Sequence, residues 1–286
     1  MHQLVNAWSR SCIPKAEVTD HYYKARALVS CSITLDRNTD NYEFCQSLAP
    51  HIRSNFLHGL ELKLKSKYYD DEYARFAFVF NRTGSWDEEE QLLHVALHQR
   101  KIKLGLDHID TLSNMGNLAS TYRNQGRWDE AEKLQMDVIN AFKTKLGSDH
   151  PDTLSSISNL ALTYRKQGRW DEAQNLGMDV MNAKKTKLGS DHPDTLVSIG
   201  NLASTYWNQG WWDEAEKLEL HVMNAFKTKL GSNHPSTLTS MANLALTYRK
   251  QGRWDEARKL QMDVMNARKT NQTPSKSSSS NNSGRS

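Results

Sequence analysis

The sequence predicts an all-α solenoid of antiparallel helix pairs, and three observations carry that prediction. The string Gly-Arg-Trp-Asp-Glu-Ala begins at Gly126, Gly168 and Gly252, and its variant Gly-Trp-Trp-Asp-Glu-Ala begins at Gly210, always 42 residues apart. A weaker copy, Gly84-Ser85-Trp86-Asp87-Glu88, precedes the first at the same interval. Within each interval two stretches of helical apolar spacing alternate, separated by glycine. A fixed period of about 20–50 residues marks an array whose units cannot bury a face alone and stack on their neighbours. Such a surface suits recognition of another chain better than catalysis.

Residues 1–68 are not repetitive. His21 to Ser32 and Tyr42 to Lys67 carry helix-like spacing, the second interrupted at Pro50, and are expected to form several short helices. Residues 69–270 hold five helix pairs, the first degenerate. In Pro151 to Gln167, Leu154, Ile157, Leu160, Ala161 and Tyr164 share one apolar face. Ser148 and Asp149 are the capping candidates, and Pro151 suits a first turn that needs no N–H donor. Gly168 breaks the chain. Trp170 to Leu188 follows, with Ala173, Leu176, Val180 and Ala183 inward, lysines in its last turn and Gly189 as a stop. Short loops make neighbouring helices antiparallel. The last helix, Trp254 to Arg268, has nothing after it to cover its outer edge, so self-association there, or a longer natural array, is expected. The Ser/Asn-rich tail, 271–286, has too little apolar surface to fold and is expected to be disordered.

A net charge of +4 permits an acidic partner but lacks the dense basic stripe expected of a nucleic-acid binder. No run of about 18 apolar residues is present, so no membrane span is expected. The N-terminus lacks the basic start and apolar core of a signal peptide. Cys12, Cys31 and Cys45 form an odd, sparse set without Cys-x-x-Cys or His-x-x-x-His company. They read as reduced thiols of a cytoplasmic protein, with no zinc site, other metal or cofactor expected.

Leu118-Ala119-x-x-Tyr122, then Gly126, Trp128 and Ala131, resemble the tetratricopeptide repeat. The 42-residue spacing and the linker Lys-Leu-Gly-Ser-Asp-His-Pro-Asp-Thr resemble the repeats of kinesin light chains in particular. The resemblance implies a right-handed superhelix whose concave groove binds protein or peptide ligands. The first unit keeps the apolar columns in Tyr73, Phe76, Ala77 and Phe80, but Glu89 stands where a small packing residue belongs, so loose packing is expected there. Met1-His2-x-Leu4-Val5-x-x-Trp8, and the segment from Tyr42-Glu43 through Cys45 and Leu48 to Pro50-His51, resemble the region that joins the nucleotide-binding module to the repeats of fungal NLR-like proteins (NB-ARC or NACHT type). There the repeats sense a ligand and the upstream module switches and oligomerises. No Gly-x-x-x-x-Gly-Lys-Ser/Thr loop occurs, so nucleotide binding does not carry over. This resemblance implies a C-terminal piece of a longer receptor or a degenerate copy.

Comparing copies points to the binding face. The units starting at Gly126 and Gly168 differ at ten positions, five of them on the first helix: Ser155 against Val197, Ser158 against Gly200, Leu162 against Ser204, Arg165 against Trp207 and Lys166 against Asn208. Their spacing covers an arc of roughly 100°, opposite the packing column. In the resembled fold this face lines the groove. Two readings stand: walls that have diversified for binding, or drift at exposed sites, since Glu132 against Gln174 and Lys133 against Asn175 differ on the second helix too. The unvarying Asn117, Asn159, Asn201 and Asn243 could hold a peptide backbone, as similar asparagines do in kinesin light chains, or brace a neighbouring turn. The expected peptide-binding set is Asn117, Ser120, Arg123 and Asn124; Asn159, Leu162, Arg165 and Lys166; Asn201, Ser204, Trp207 and Asn208; and Asn243, Leu246, Arg249 and Lys250. Its basic members point to an acidic, extended segment, with Trp207 as an aromatic anchor.

Other recurrent residues read as structural. Trp128, Trp170, Trp212 and Trp254 are expected in the core, and His150, His192 and His234 as loop braces. The Asp-Glu pairs at 129/130, 171/172, 213/214 and 255/256 favour the helix dipole. No catalytic constellation appears, so an enzyme is not expected. The rival functions are a kinesin-light-chain-like cargo adaptor, which needs an N-terminal heptad coiled coil that is not visible, and an RNA-binding repeat protein, which needs base-reading pairs in each unit.

Overall fold

The computed structural model describes residues 18–33, 42–61 and 70–272. The Met1–Trp8 motif, Cys12 and the tail beyond Gln272 lie outside the described residues. The chain divides into two compact units, Met1–Asn159 and Leu160–Ser286. The first contains α1 (Val18–Cys31), α2 (Tyr42–Glu61), α3 (Asp70–Thr83), α4 (Trp86–Leu104), α5 (Ile109–Asn124), α6 (Trp128–Leu146) and the start of α7 (Pro151–Gln167). The second contains the end of α7, then α8 (Trp170–Leu188), α9 (Pro193–Gln209), α10 (Trp212–Leu230), α11 (Pro235–Lys250) and α12 (Trp254–Gln272). All the described elements are helices. Within each unit they pack in chain order, α3 on α4 on α5 on α6, and α8 on α9 on α10 on α11 on α12. The predicted limits of α7 and α8 are the observed ones.

Several local expectations are corrected. Helix α2 runs through Pro50 without a break. Pro50 is exposed, while Cys45, Leu48, Ala49 and Ile52 are buried in the first unit's core and hold the helix across the lost hydrogen bond. The first pair is not loosely packed. Phe76, Val79, Phe80, Leu92 and Leu93 are all buried in one cluster. Glu89 is accommodated within it because Asn81 donates from Nδ2 to its Oε1 at 3.0 Å. The N-cap of α7 is supplied by His150, not Ser148 or Asp149. Its Nδ1 accepts the Asp152 N–H at 3.2 Å, and His108, His192 and His234 do the same for Asp110, Asp194 and Ser236. The last helix extends to Gln272, four residues beyond Arg268. The motif tryptophans are not all core: Trp128 is 39% exposed and Trp254 60%. Each opens its helix; the Trp170 ring edge would sit 3.8 Å from a Cβ on Gly168, whereas a Cβ on Gly126, Gly210 or Gly252 would meet nothing within 4 Å.

The repeated motif is a lock between consecutive helix pairs. Gly210 ends α9 in the left-handed region, φ 84° and ψ 10°, and the next N–H, of Trp211, returns to the Tyr206 carbonyl at 2.9 Å. In the other copies an arginine follows the glycine and lies on that tyrosine: Arg127 on Tyr122, Arg169 on Tyr164 and Arg253 on Tyr248, 3.9–4.0 Å from the ring centroid. Arg127 also reaches back to Glu90 of the preceding pair at 2.8 Å and to Glu130 of its own helix at 2.7 Å; Arg253 binds Glu216 and Glu256 likewise. The invariant glutamine beside it completes the lock. Gln125 donates to Asp87 and Glu90, and Gln251 to Asp213 and Glu216. The alanine of the motif is buried in every copy, at Ala131, Ala173, Ala215 and Ala257.

Trp211 is the exception, and it belongs to the lock rather than to the face of Trp207. Its ring stacks on Tyr206, 5.7 Å between centroids at 26°. Its would-be acidic partner is Gln174, which accepts from Gln209 at 3.1 Å. Arginine has become tryptophan where the glutamate of the preceding pair has become glutamine, while the own-helix glutamate, Glu214, stays without an arginine beside it.

A second glycine class ends the longer helices. Gly105, Gly147, Gly189 and Gly231 have φ of 88–92° and ψ of 161–169°, a region closed to residues with a Cβ. The carbonyls of Gly105, Gly147 and Gly231 accept hydroxyls from the buried Thr111, Thr153 and Thr237 at 2.8–2.9 Å. A Cβ on Gly147 or on the helical Gly116 would meet no atom within 4 Å, so the two differ only in backbone conformation. Gly147→Ala is therefore expected to cost about 1–3 kcal/mol, and Gly116→Ala to add about 0.4–1 kcal/mol. Urea unfolding of both variants checks this opposition of sign.

Candidate binding pocket

In the second unit, side chains from four helices converge on a pocket of about 290 Å³. Arg165 and Lys166 come from the end of α7, Ser204, Trp207 and Asn208 from the end of α9, Glu219 from α10, and Asn243 and Leu246 from α11. The helix register explains the convergence. Ser204, Trp207 and Asn208 lie three and four residues apart and share a face, just before the turn at Gly210. Asn208 donates from Nδ2 to the Ser204 carbonyl at 2.6 Å, and the Ser204 hydroxyl donates to the Gly200 carbonyl at 3.0 Å. Both bonds anchor side chains to the backbone of α9. Lys250 places its ammonium 5.3 Å from the centre of the Trp207 ring.

Two donors of the pocket are closed to solvent and have no protein acceptor among the described residues: Arg165 Nη1 and Trp207 Nε1. Burial of Arg165 lowers its pKa from the usual guanidinium value. A buried donor left unpaired costs about 1–3 kcal/mol, and an acceptor brought by a ligand would recover that cost. Glu219 forms part of the wall and is 7% exposed. Burial pushes its pKa up to about 7, with the Glu216 charge adding to the rise, against the hydroxyl of Thr247, which donates to its Oε2 at 2.7 Å.

Seven of the sequence-nominated residues thus line one pocket, and Lys250 joins through Trp207. Of the others in this unit, Leu162 and Asn201 are half-buried and Arg249 is exposed, and none of the three lines the pocket. In the first unit Asn117 and Asn124 are exposed, and Ser120 donates to the Gly116 carbonyl at 3.1 Å. Arg123 donates from Nη1 to the Asn159 carbonyl at 3.3 Å, so it braces backbone where Arg165 Nη1 does not. The variable face as a whole is exposed or half-buried at every position. Sequence reasoning missed Glu219. Its signal was present: the column Gln135, Gly177, Glu219 changes chemistry at each 42-residue step, but it lies on the second helix, where variation reads as drift.

Among the described residues no group of three or more His, Cys, Asp or Glu is placed to hold a metal ion, and no helix is long and apolar enough to cross a membrane. Cys31 and Cys45 are free thiols, the first exposed and the second buried.

Helix pairs packed in chain order at a constant repeat define a helical-repeat protein. The tetratricopeptide repeat family matches residues 110–186 and 194–270, and the chain belongs to that family. Its repeats resemble a solved structure from Podospora anserina described as kinesin light chain, of nearly identical TPR-like repeats: 30% identity over 71% of this chain and 96% of that one, TM-score 0.59. The fold is shared with BtubC (BKLC) from P. vanneervenii, at 15% identity over 93% of this chain and 99% of that one, TM-score 0.61. It is shared also with a Rap protein complexed with Competence and Sporulation Factor, at 12% identity over 91% of this chain and 68% of that one, TM-score 0.67. Among curated proteins none matches the chain. Tetratricopeptide domains are in general protein–protein interaction modules.

Glu219 has a counterpart in the first unit. Glu89 is 4% exposed, and burial pushes its pKa up to about 7 against the hydrogen bond from Asn81. A raised folded-state pKa means that the folded protein holds the proton longer than the unfolded chain. Each carboxyl's stabilising contribution is complete below about pH 4.5 and is lost as pH rises through about 7. The loss is on the order of 1–3 kcal/mol per group. Glu89→Gln is expected to raise the melting temperature more at about pH 8 than at about pH 5. Calorimetric scans at both pH values check it.

Proposed function

We propose that this chain is a protein–protein interaction module that binds an extended, acidic peptide segment along the inner face of its first helices, the concave side in this family. The observation that supports it best is the pocket in the second unit. Residues nominated by repeat-to-repeat variation converge there, with Arg165 and Lys166 as cations and with two buried donors awaiting acceptors. A solvated basic face would have no reason to keep Arg165 Nη1 and Trp207 Nε1 from water. The role is recognition rather than catalysis, in a cytoplasmic setting.

Within that reading, the chain serves as the sensing or scaffolding part of an NLR-like protein. Support comes from the Met1–Trp8 pattern and from the Tyr42–His51 segment, which opens α2 beside the array. The exposed Trp254, Met262 and Met265 of α12 offer a secondary surface for self-association.

The test is a fluorescence-anisotropy screen of extended peptides rich in Asp and Glu, each with an Asn/Gln-matched control. Acidic peptides should bind and their neutral controls should not. Trp207→Ala should weaken binding by about 30-fold, the loss of roughly 2 kcal/mol typical of a buried aromatic anchor. Arg165→Ala should weaken it and flatten its salt dependence. Lys133→Ala, on the exposed side of α6, should leave it unchanged. Equal binding of acidic and neutral peptides, or binding indifferent to both pocket variants, would sink the proposal.

A further inference from the structure

Glu219 stands out against the basic character of its surroundings. Among the described residues it is the only carboxylate lining the pocket, to which Arg165 and Trp207, each with a buried unpaired donor, contribute from two other helices. The corresponding positions one and two periods earlier are Gly177 and Gln135, neither of which can ionise. A ligand carboxylate seated on Arg165 and Trp207 therefore meets a second carboxylate in a partly dehydrated pocket. Two carboxylates sharing such a site cannot both stay ionised without a large repulsion. We propose that Glu219 is the specificity-determining residue of this pocket: it admits one carboxylate side chain of the bound segment, and does so with uptake of one proton by the Glu219–ligand pair. The inference rests on the peptide-binding reading above and adds to it what the pocket accepts and on what condition.

The chemistry balances simply. In the acid form, the Glu219 carboxyl donates its proton in a hydrogen bond to the ligand carboxylate, whose charge is met by Arg165. In the ionised form Glu219 is an acceptor only, so it repels a carboxylate but still suits the N–H of an amide. The proton is within reach near neutrality, because burial already holds Glu219 far above the usual carboxylate range. The charge that acts on it is Glu216, one turn earlier on α10; Arg165 and Lys166 from α7 line the same pocket, and Lys250 from α11 lies over the Trp207 ring. From α9 and α11 the remaining lining groups (Ser204, Trp207, Asn208, Asn243 and Leu246) do not titrate near neutrality, nor does Thr247. His221 lies on the opposite side of α10, 3.8 Å from Asp191, and serves as the control.

The experiment titrates the full chain with a fluorescein-labelled acidic peptide selected by the screen, and with the same peptide carrying a single Glu→Gln change at each acidic position in turn. Affinities are measured from about pH 6 to about pH 9. One Glu position should show affinity falling by up to about tenfold per pH unit above neutrality, the slope of one bound proton. Its Gln version should lose that slope and match or overtake the Glu peptide at the alkaline end. Glu219→Gln should abolish the slope and strengthen the Glu peptide at alkaline pH, while His221→Asn should leave the slope in place. Binding that depends on Trp207 but not on pH, or a slope that persists in Glu219→Gln, overturns this inference and leaves the peptide-binding reading standing. Absence of acidic-peptide binding at every pH overturns both.

Discussion

The polar lock at each inter-pair turn is the interaction on which the array depends. A helix pair of this kind has two apolar flanks and no core of its own, so it folds only if the next pair is held in register against it. The lock holds that register at its outer end. The turn glycine brings the following arginine over the tyrosine of the helix just ended, and arginine and glutamine reach back together to the Asp and Glu of the previous pair. Each contact lies at the surface and is individually modest. They act at the same hinge wherever the arginine is present, and a Tyr206–Trp211 stack stands in for them at Gly210, each time beside an alanine that is buried. The linker glycines at the other end do the complementary job of starting each new pair from one backbone geometry.

The fold was legible because this constraint writes itself into the sequence at a constant interval. Periodicity alone placed the ends of α7 and α8. Local chemistry was less legible. The cap of each first helix comes from a histidine, whose Nδ1 can accept a backbone N–H but whose usual associations point to metals and catalysis. Pro50 looked like a stop because the pattern does not say that Pro50 faces solvent while its neighbours on the buried side hold the helix. The motif tryptophans looked like core because they recur at a packing column, whereas at the first position of their helices Trp128 and Trp254 are exposed. Each of these misses concerns the direction of a side chain, which spacing does not record.

The pocket shows the same division. Its walls were visible as variation on one arc of the first helices, because exposed residues there change while the packing column does not. Glu219 was invisible, since it sits on the second helix among substitutions with other causes. One of those was itself misread. Gln174 in place of glutamate resembles drift, yet it accompanies Trp211 in place of arginine and removes the carboxylate that the arginine would have met on the preceding pair. Variation on the second helix is thus of two kinds: compensation within the lock and change at the pocket wall. Only contacts separate them.

This separation explains how one scaffold tolerates a costly site. Arg165 Nη1 and Trp207 Nε1 lack protein acceptors, and Glu219 is kept near neutrality in its pKa, all within one pocket. Each is a polar group whose burial works against folding. In a globular core such a cluster would threaten the whole structure. In a repeat array, stability is approximately a sum of unit and nearest-neighbour terms, so the loss is confined to the pairs that line the pocket. The neighbouring pairs keep their buried alanines and, on the C-terminal side, the full Arg253–Glu216–Gln251 lock. A linear architecture can therefore carry the unpaired donors of Arg165 and Trp207 and the buried Glu219 in one pocket, while the invariant letters of the repeat hold the neighbouring pairs in place.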